Sequence, residues 1–258
     1  MTFDCNASLG NYALRQLRHN TADGLLALMD RKRIDRALVG SAEAITLLDA
    51  HSGNEMLSRA IGSHGDRLVP CAVLNPAYAG WEVDLRHCAE NLGMVALKLL
   101  PHWHGYKLTD ACCGEIIAAA TELSLPILLP VRVQDGRQLG WLFDVPDLSL
   151  ADIAATIRAH PAARFVILEG IGIAHSALAT ERESLPDNYW VEMSRMAVFI
   201  GKEIQALVAA LGAQRVLFGS GMPLKYVDPA LLKLKHLDVS PTEKSAILGG
   251  NLQDLLGL

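Results

Sequence analysis

Eight short apolar, β-branched runs recur along the 258 residues of this chain, and a stretch with helical spacing follows nearly every one. The runs are Thr2–Asn6, Ile34–Val39, Leu68–Leu74, Val95–Leu100, Ile127–Val131, Phe165–Glu169, Tyr189–Met193 and Val216–Gly219. Amphipathic stretches between them include Thr21–Arg31, Glu82–Asn91, Ala111–Leu123, Leu150–Ala159 and Lys202–Leu211. Strands that are apolar along their whole length are buried on both faces, which means a parallel sheet covered by helices. Eight such units predict an α/β chain, a closed (β/α)8 TIM barrel rather than an open doubly wound sheet. Helix starts agree with this division. Ser149 precedes an apolar-periodic run, Asp228-Pro229 opens another, and Ser240-Pro241-Thr242-Glu243 is a capping box with proline at the first helical position. With no linker or low-complexity segment, residues 1–258 read as one domain.

A hydrophobic share of 51% suffices for a large core, and a net charge of −5 gives no footing for nucleic acid or an anionic membrane surface. No apolar run reaches the roughly 18 residues of a membrane span, and no signal segment opens the sequence. The five cysteines, Cys5, Cys71, Cys88, Cys112 and Cys113, lack framework spacing and read as reduced thiols. The expectation is a cytoplasmic protein with a small-molecule ligand, and a homodimer by the commonness of twofold assemblies. "NASLGNYA" after the first strand lacks the glycine patterns that cradle phosphates, so no nucleotide cofactor is expected.

In such barrels chemistry sits at the C-terminal ends of the strands. Strand 1 offers Asp4, Asn6 and Ser8, alternating and so expected on one face. Strand 3 ends at Asn75, strand 4 carries Lys98, strand 5 leads into Arg132, strand 6 ends in Glu169 and strand 7 carries Glu192 and Ser194. "PHWHGY" after strand 4 holds His102 and His104. Charges at such positions are costly unless paired, so a Lys98–Glu169 ion pair is expected. Its role is either structural or acid–base and substrate-anchoring. Arg132 either anchors a carboxylate or bridges to Asp135 or Asp144. Trp103, Trp141 and Tyr106 either wall a pocket or pack in the core. Cys5 is expected to pack under a helix.

The segments "RLVPCAVLNP", "GMVALKLLPHWHGYKLTD", "HPAARFVILEG", "GAQRVLFGSGMPL" and "LDVSPTEKSAILGGNLQDLLGL", with Ile247–Asn251 as an Ile-x-x-Gly-Asn signature, together resemble the amidohydrolase-related (amidohydrolase 2) family. That resemblance implies an amidohydrolase-like barrel. It also implies metal ligands from an H-x-H on strand 1, histidines on strands 5 and 6, and an aspartate on strand 8. The matching positions here hold Asn6, Ser8, Pro130, Glu169 and Gly221. Proline and glycine offer no side-chain ligand and serine is a poor one for zinc. No metal is therefore expected at that place.

Three readings follow. The first is a metal-independent hydrolase of a small carboxylate-bearing or lactone-like compound. Lys98, Glu169, Asn6 and His102 would do the chemistry, and Ser8, His104, Arg132, Glu192 and Ser194 would bind the substrate. The second is a non-catalytic relative that binds a small ligand or a partner at the mouth. The third is a relocated metal site built from His102, His104 and Glu169.

Overall fold

The computed structural model describes every residue except 139, 142, 144 and 199–201. The elements run β1 (Phe3–Leu9), α1 (Ala22–Lys32), β2 (Arg36–Ser41), α2 (Ala50–Ile61), β3 (Leu68–Leu74), α3 (Trp81–Glu90), β4 (Leu97–Leu99) and α4 (Ala111–Glu122). There follow β5 (Ile127–Pro130), α5 (Leu150–Ala159), β6 (Phe165–Leu168), α6 (Ala177–Thr180), β7 (Tyr189–Glu192), α7 (Glu203–Leu211) and β8 (Val216–Leu217). Three helices end the chain: α8 (Asp228–His236), α9 (Pro241–Ser245) and α10 (Asn251–Leu256). The strands pair in sequence order, β1 to β8, all parallel.

The ring closes between the segment from β8 onward and β1. Cys5 N donates to Phe218 O at 3.0 Å, Gly221 N to Asn6 O at 2.8 Å, and Ser8 N to Met222 O at 2.8 Å. The architecture is thus the eight-stranded (β/α)8 barrel expected from the alternation.

Two apolar clusters explain why the strands carry no polar face in their lower halves. Ala7, Leu9, Val39, Leu74, Leu99 and Leu129 pack outward against the helices. Phe3, Cys5, Leu38, Val69, Cys71, Leu128, Val166 and Leu217 fill the interior. Leu252 and Leu255 of α10 join that interior cluster and form its floor. Burying two leucines there contributes on the order of 2 kcal/mol each. Cys5 belongs to this interior layer, in one cluster with the α10 leucines at the barrel floor rather than against the outer helices.

The reason is an irregularity in β1. The pairing register with β2 shifts between Asp4 and Ala7. Such a bulge breaks strict alternation, so Asp4 does not share a face with Asn6 and Ser8. Its carboxylate turns to the seam instead, where Oδ1 accepts from Asn6 N at 2.9 Å and Ser220 N at 3.0 Å, and Oδ2 accepts from Ser220 Oγ. Among the described residues no helix is long and apolar enough to cross a membrane.

Candidate functional site

The strand ends build the site from below upward. Glu192, the last residue of β7, is fully buried. Its carboxylate accepts from the Glu169 backbone N–H at 3.0 Å, from Ser194 Oγ at 3.0 Å and from Ser194 N. Burial, reinforced by the nearby Glu169 carboxylate, pushes the Glu192 carboxyl up to about 7. Glu169 follows β6 with φ +58, a left-handed backbone uncommon for a non-glycine residue. That turn lifts its side chain off the strand and into the mouth.

There Glu169 is the hub. Its Oε1 accepts from Asn6 Nδ2 at 2.8 Å, and its Oε2 pairs with the Lys225 ammonium and stands 3.8 Å from Arg195 Nε. Lys98 does not reach Glu169 in an ion pair. Its Nζ lies 3.4 Å from Asn6 Oδ1, so the Asn6 amide stands between the two charges and serves both. The expected Lys98–Glu169 pair is therefore replaced by a relay, because Lys225 and Arg195 arrive from loops and neutralise the carboxylate first. Desolvation lowers the Lys225 ammonium from its ordinary value, against the opposing pull of Glu169.

Two adjoining cavities open on this hub. A small inner one, about 30 Å³, is lined by Asn6, Ser8, Lys98, Pro130, Glu169, Gly221 and Lys225 among others. All five positions that the family resemblance matches to metal ligands thus converge on one place. The outer cavity, about 540 Å³, shares Arg132, Val133, Leu224 and Lys225 with the inner one. Among the described residues its wall carries Arg15, Arg132, Arg137, Arg195, Lys225 and Lys233, against a single carboxylate, Asp135. Arg15 donates to Leu224 O at 2.5 Å and Lys233 to Ser194 O, both backbone acceptors. That volume suits a small organic molecule, and that lining suits an anion.

The donor set does not fit the family's metal. Only Glu169 is a good ligand for a transition ion, and its Oε2 already faces an ammonium. A side chain could not be added at Gly221 without displacement either. A Cβ there would stand 2.8 Å from Glu169 Oε1 and 3.0 Å from Lys225 Cδ.

The other predicted residues fall in three places. Ser8 is buried in the inner wall. Arg132 lines both cavities, but its Nε and Nη2 grip Asp147, with Asp135 at 3.8 Å. Asp144, the other suggested partner, lies outside the described residues. His102 and His104 are not brought to the hub. His102 Nδ1 meets Pro146 O at 2.9 Å, and buried His104 meets Ala44 O through Nε2 at 2.9 Å. Burial lowers the His104 imidazole, keeping it neutral. The two therefore do not join Glu169 in a relocated ligand set. Tyr106 is core, and Trp141 is 92% exposed, so neither walls the mouth. Asn75 ties two loops together, donating to Leu48 O in the loop before α2 and accepting from Ala77 N in its own.

Arg15, Arg195, Lys225 and Lys233 were not among the sequence candidates. Lys225 stands four residues after Gly221, and its N–H donates to Gly221 O at 2.9 Å, a turn that only the folded chain shows. Arg195 directly follows Ser194.

A family model described as Amidohydrolase (Amidohydro_2) matches residues 4–258. No curated protein matches the chain. Solved structures share its fold over nearly their whole length. A dihydroxybenzoic acid decarboxylase from Polaromonas sp. JS666, with bound manganese and 2-nitroresorcinol, has TM-score 0.76 at 17% identity, covering 100% of this chain and 97% of that one. The 5-carboxyvanillate decarboxylase of Sphingomonas paucimobilis has TM-score 0.75 at 14% identity, covering 100% and 99%. The 4-oxalomesaconate hydratase of Rhodopseudomonas palustris has TM-score 0.70 at 18% identity, covering 100% and 96%. The match from β1 to α10, with the barrel and the convergence of the five inherited positions, places this chain in the amidohydrolase family.

Proposed function

We propose that the chain hydrolyses a small carboxylate-bearing compound, such as a lactone, at the barrel mouth without a metal at the family's position. The observation that carries this reading is one carboxylate, Glu169, in the inner cavity beside a cation-rich outer cavity of about 540 Å³. The decarboxylases and the hydratase of like fold have carboxylate substrates by name, which supports the same substrate class.

The two cavities divide the work. The inner one, about 30 Å³, has the polar groups of Asn6, Ser8, Lys98 and Glu169 in its wall and the size to take a water molecule. The outer one takes the substrate, with Arg15 and Lys233 to meet its carboxylate. Glu169 accepts a proton from the water as its oxygen bonds to the carbonyl carbon. Lys225, and Lys98 through its place beside Asn6, stabilise the oxyanion that forms. The ring C–O bond then breaks, and the leaving alkoxide takes the proton back from Glu169. Glu192 is out of reach of substrate and acts as a positioning residue, holding the Glu169 backbone.

The test is acid release, followed in a pH-stat, from γ-butyrolactone with and without a ring carboxylate. The carboxylated lactone should turn over faster, and Glu169→Gln should lower kcat about a hundredfold or more. Calorimetric binding of small carboxylates with no turnover across the lactones would instead favour a non-catalytic binding relative, the reading that loss of the family's ligand set also supports.

A further inference from the structure

On the outside of the barrel, α2 and α3 bring His51, Glu55 and His87 together. One ligand atom from each lies within 4.8 Å of the others. None of the three lines either mouth cavity. His51 and Glu55 stand one turn apart on α2 and so share a face. His87 comes from the last turn of α3, and Asp84, one turn earlier, places Oδ1 4.0 Å from His51 Nε2.

The ring geometry is informative. The two imidazole centroids are 5.3 Å apart with planes at 79°. Two imidazoles on one tetrahedral zinc, with Zn–N bonds of about 2.0–2.1 Å, hold their ring centres about 5 Å apart. The rings already have that spacing. Donor atoms at such a centre are about 3.4 Å apart, so three atoms that all lie within 4.8 Å of one another need only side-chain torsions to close the centre. Buried Cys88 holds the His51 ring from behind, with Sγ 3.5 Å from Nδ1, and leaves Nε2, on the side of Asp84, to face an ion. Such an outer contact orients a metal-binding histidine. The charge balance points the same way. Glu55 and Asp84, with Asp49 at the start of α2, set three carboxylates around the two rings. Among the described residues Arg59, 3.5 Å from Glu55, is the only Lys or Arg paired with any of them.

We propose that His51, Glu55 and His87, with Asp84 closing a fourth position, form a divalent transition-metal site fitted to zinc that ties α2 to α3.

The test uses tag-free, chelator-stripped protein and zinc alone. Calorimetry should give one ion per chain, the melting temperature should rise with zinc, and cobalt should give the visible bands of a tetrahedral centre that zinc displaces. His87→Ala and Glu55→Gln should each weaken zinc binding about tenfold or more, while melting like the parent without metal. Glu169→Gln should bind zinc as the parent does, which separates this site from the mouth. Absence of binding at micromolar zinc, parental binding by both cluster variants, or loss of binding in Glu169→Gln would each overturn the proposal.

Discussion

At Gly221 the chain adopts φ +72, and the space above its Cα is taken by Glu169 and Lys225. Alanine there meets two costs: the left-handed backbone, roughly 1–2 kcal/mol for an L-residue, and displacement of the ion pair. Gly221→Ala should therefore lose about 2 kcal/mol of unfolding free energy in urea titrations. If the proposed hydrolase activity holds, the same variant should also depress kcat, because it shifts Glu169. A variant as stable as the parent would show that the pair moves aside freely. The same position explains what could and could not be read beforehand. Glu169, Asn6, Ser8 and Lys98 were legible because they sit at strand ends, where parity and register are local. The pairing among them was not legible. Lys225 and Arg195 reach the hub from loops, and no spacing rule tells where a loop cation will point.

Between elements, the seam of β1 with β8 rests on Asp4. Its carboxyl is pushed up by burial from 3.8 to about 6, despite the Ser220 and Asn6 donors that favour the charged form. A group with a raised folded-state pKa contributes most while protonated. Its contribution is full below about pH 4 and is lost as pH rises through 6. Relative to Asp4→Asn, the parent should thus lose about 2 kcal/mol of unfolding free energy between pH 4 and pH 7. Equilibrium urea unfolding of both proteins across that range measures it, and a pH-independent difference would count against it. Most element positions were legible in sequence because apolar runs report burial directly. The shift in β1 was not, since a bulge leaves no mark in the alternation of "FDCNASL". The short β4 and β8, three and two residues, were over-extended for a related reason. Val95, Leu100 and Phe218 are apolar and packed, yet fall outside the described strands.

For the molecule as a whole, the alternation of eight strands and their helices already determined the architecture, while the character of the mouth came only with the assembled chain. The body carries a net charge of −5, yet among the described residues six cationic side chains and one carboxylate face the outer cavity. A positive opening in a negative body is a directional field. It draws anions toward one end of the barrel and repels them elsewhere. Ionic strength should therefore control how fast a ligand arrives. In stopped-flow fluorescence, the association rate of salicylate should fall about tenfold from low salt to about 0.15 M. Its neutral amide should show almost no change. Equal salt sensitivity of the two would mean that the field of the mouth is cancelled before a ligand feels it.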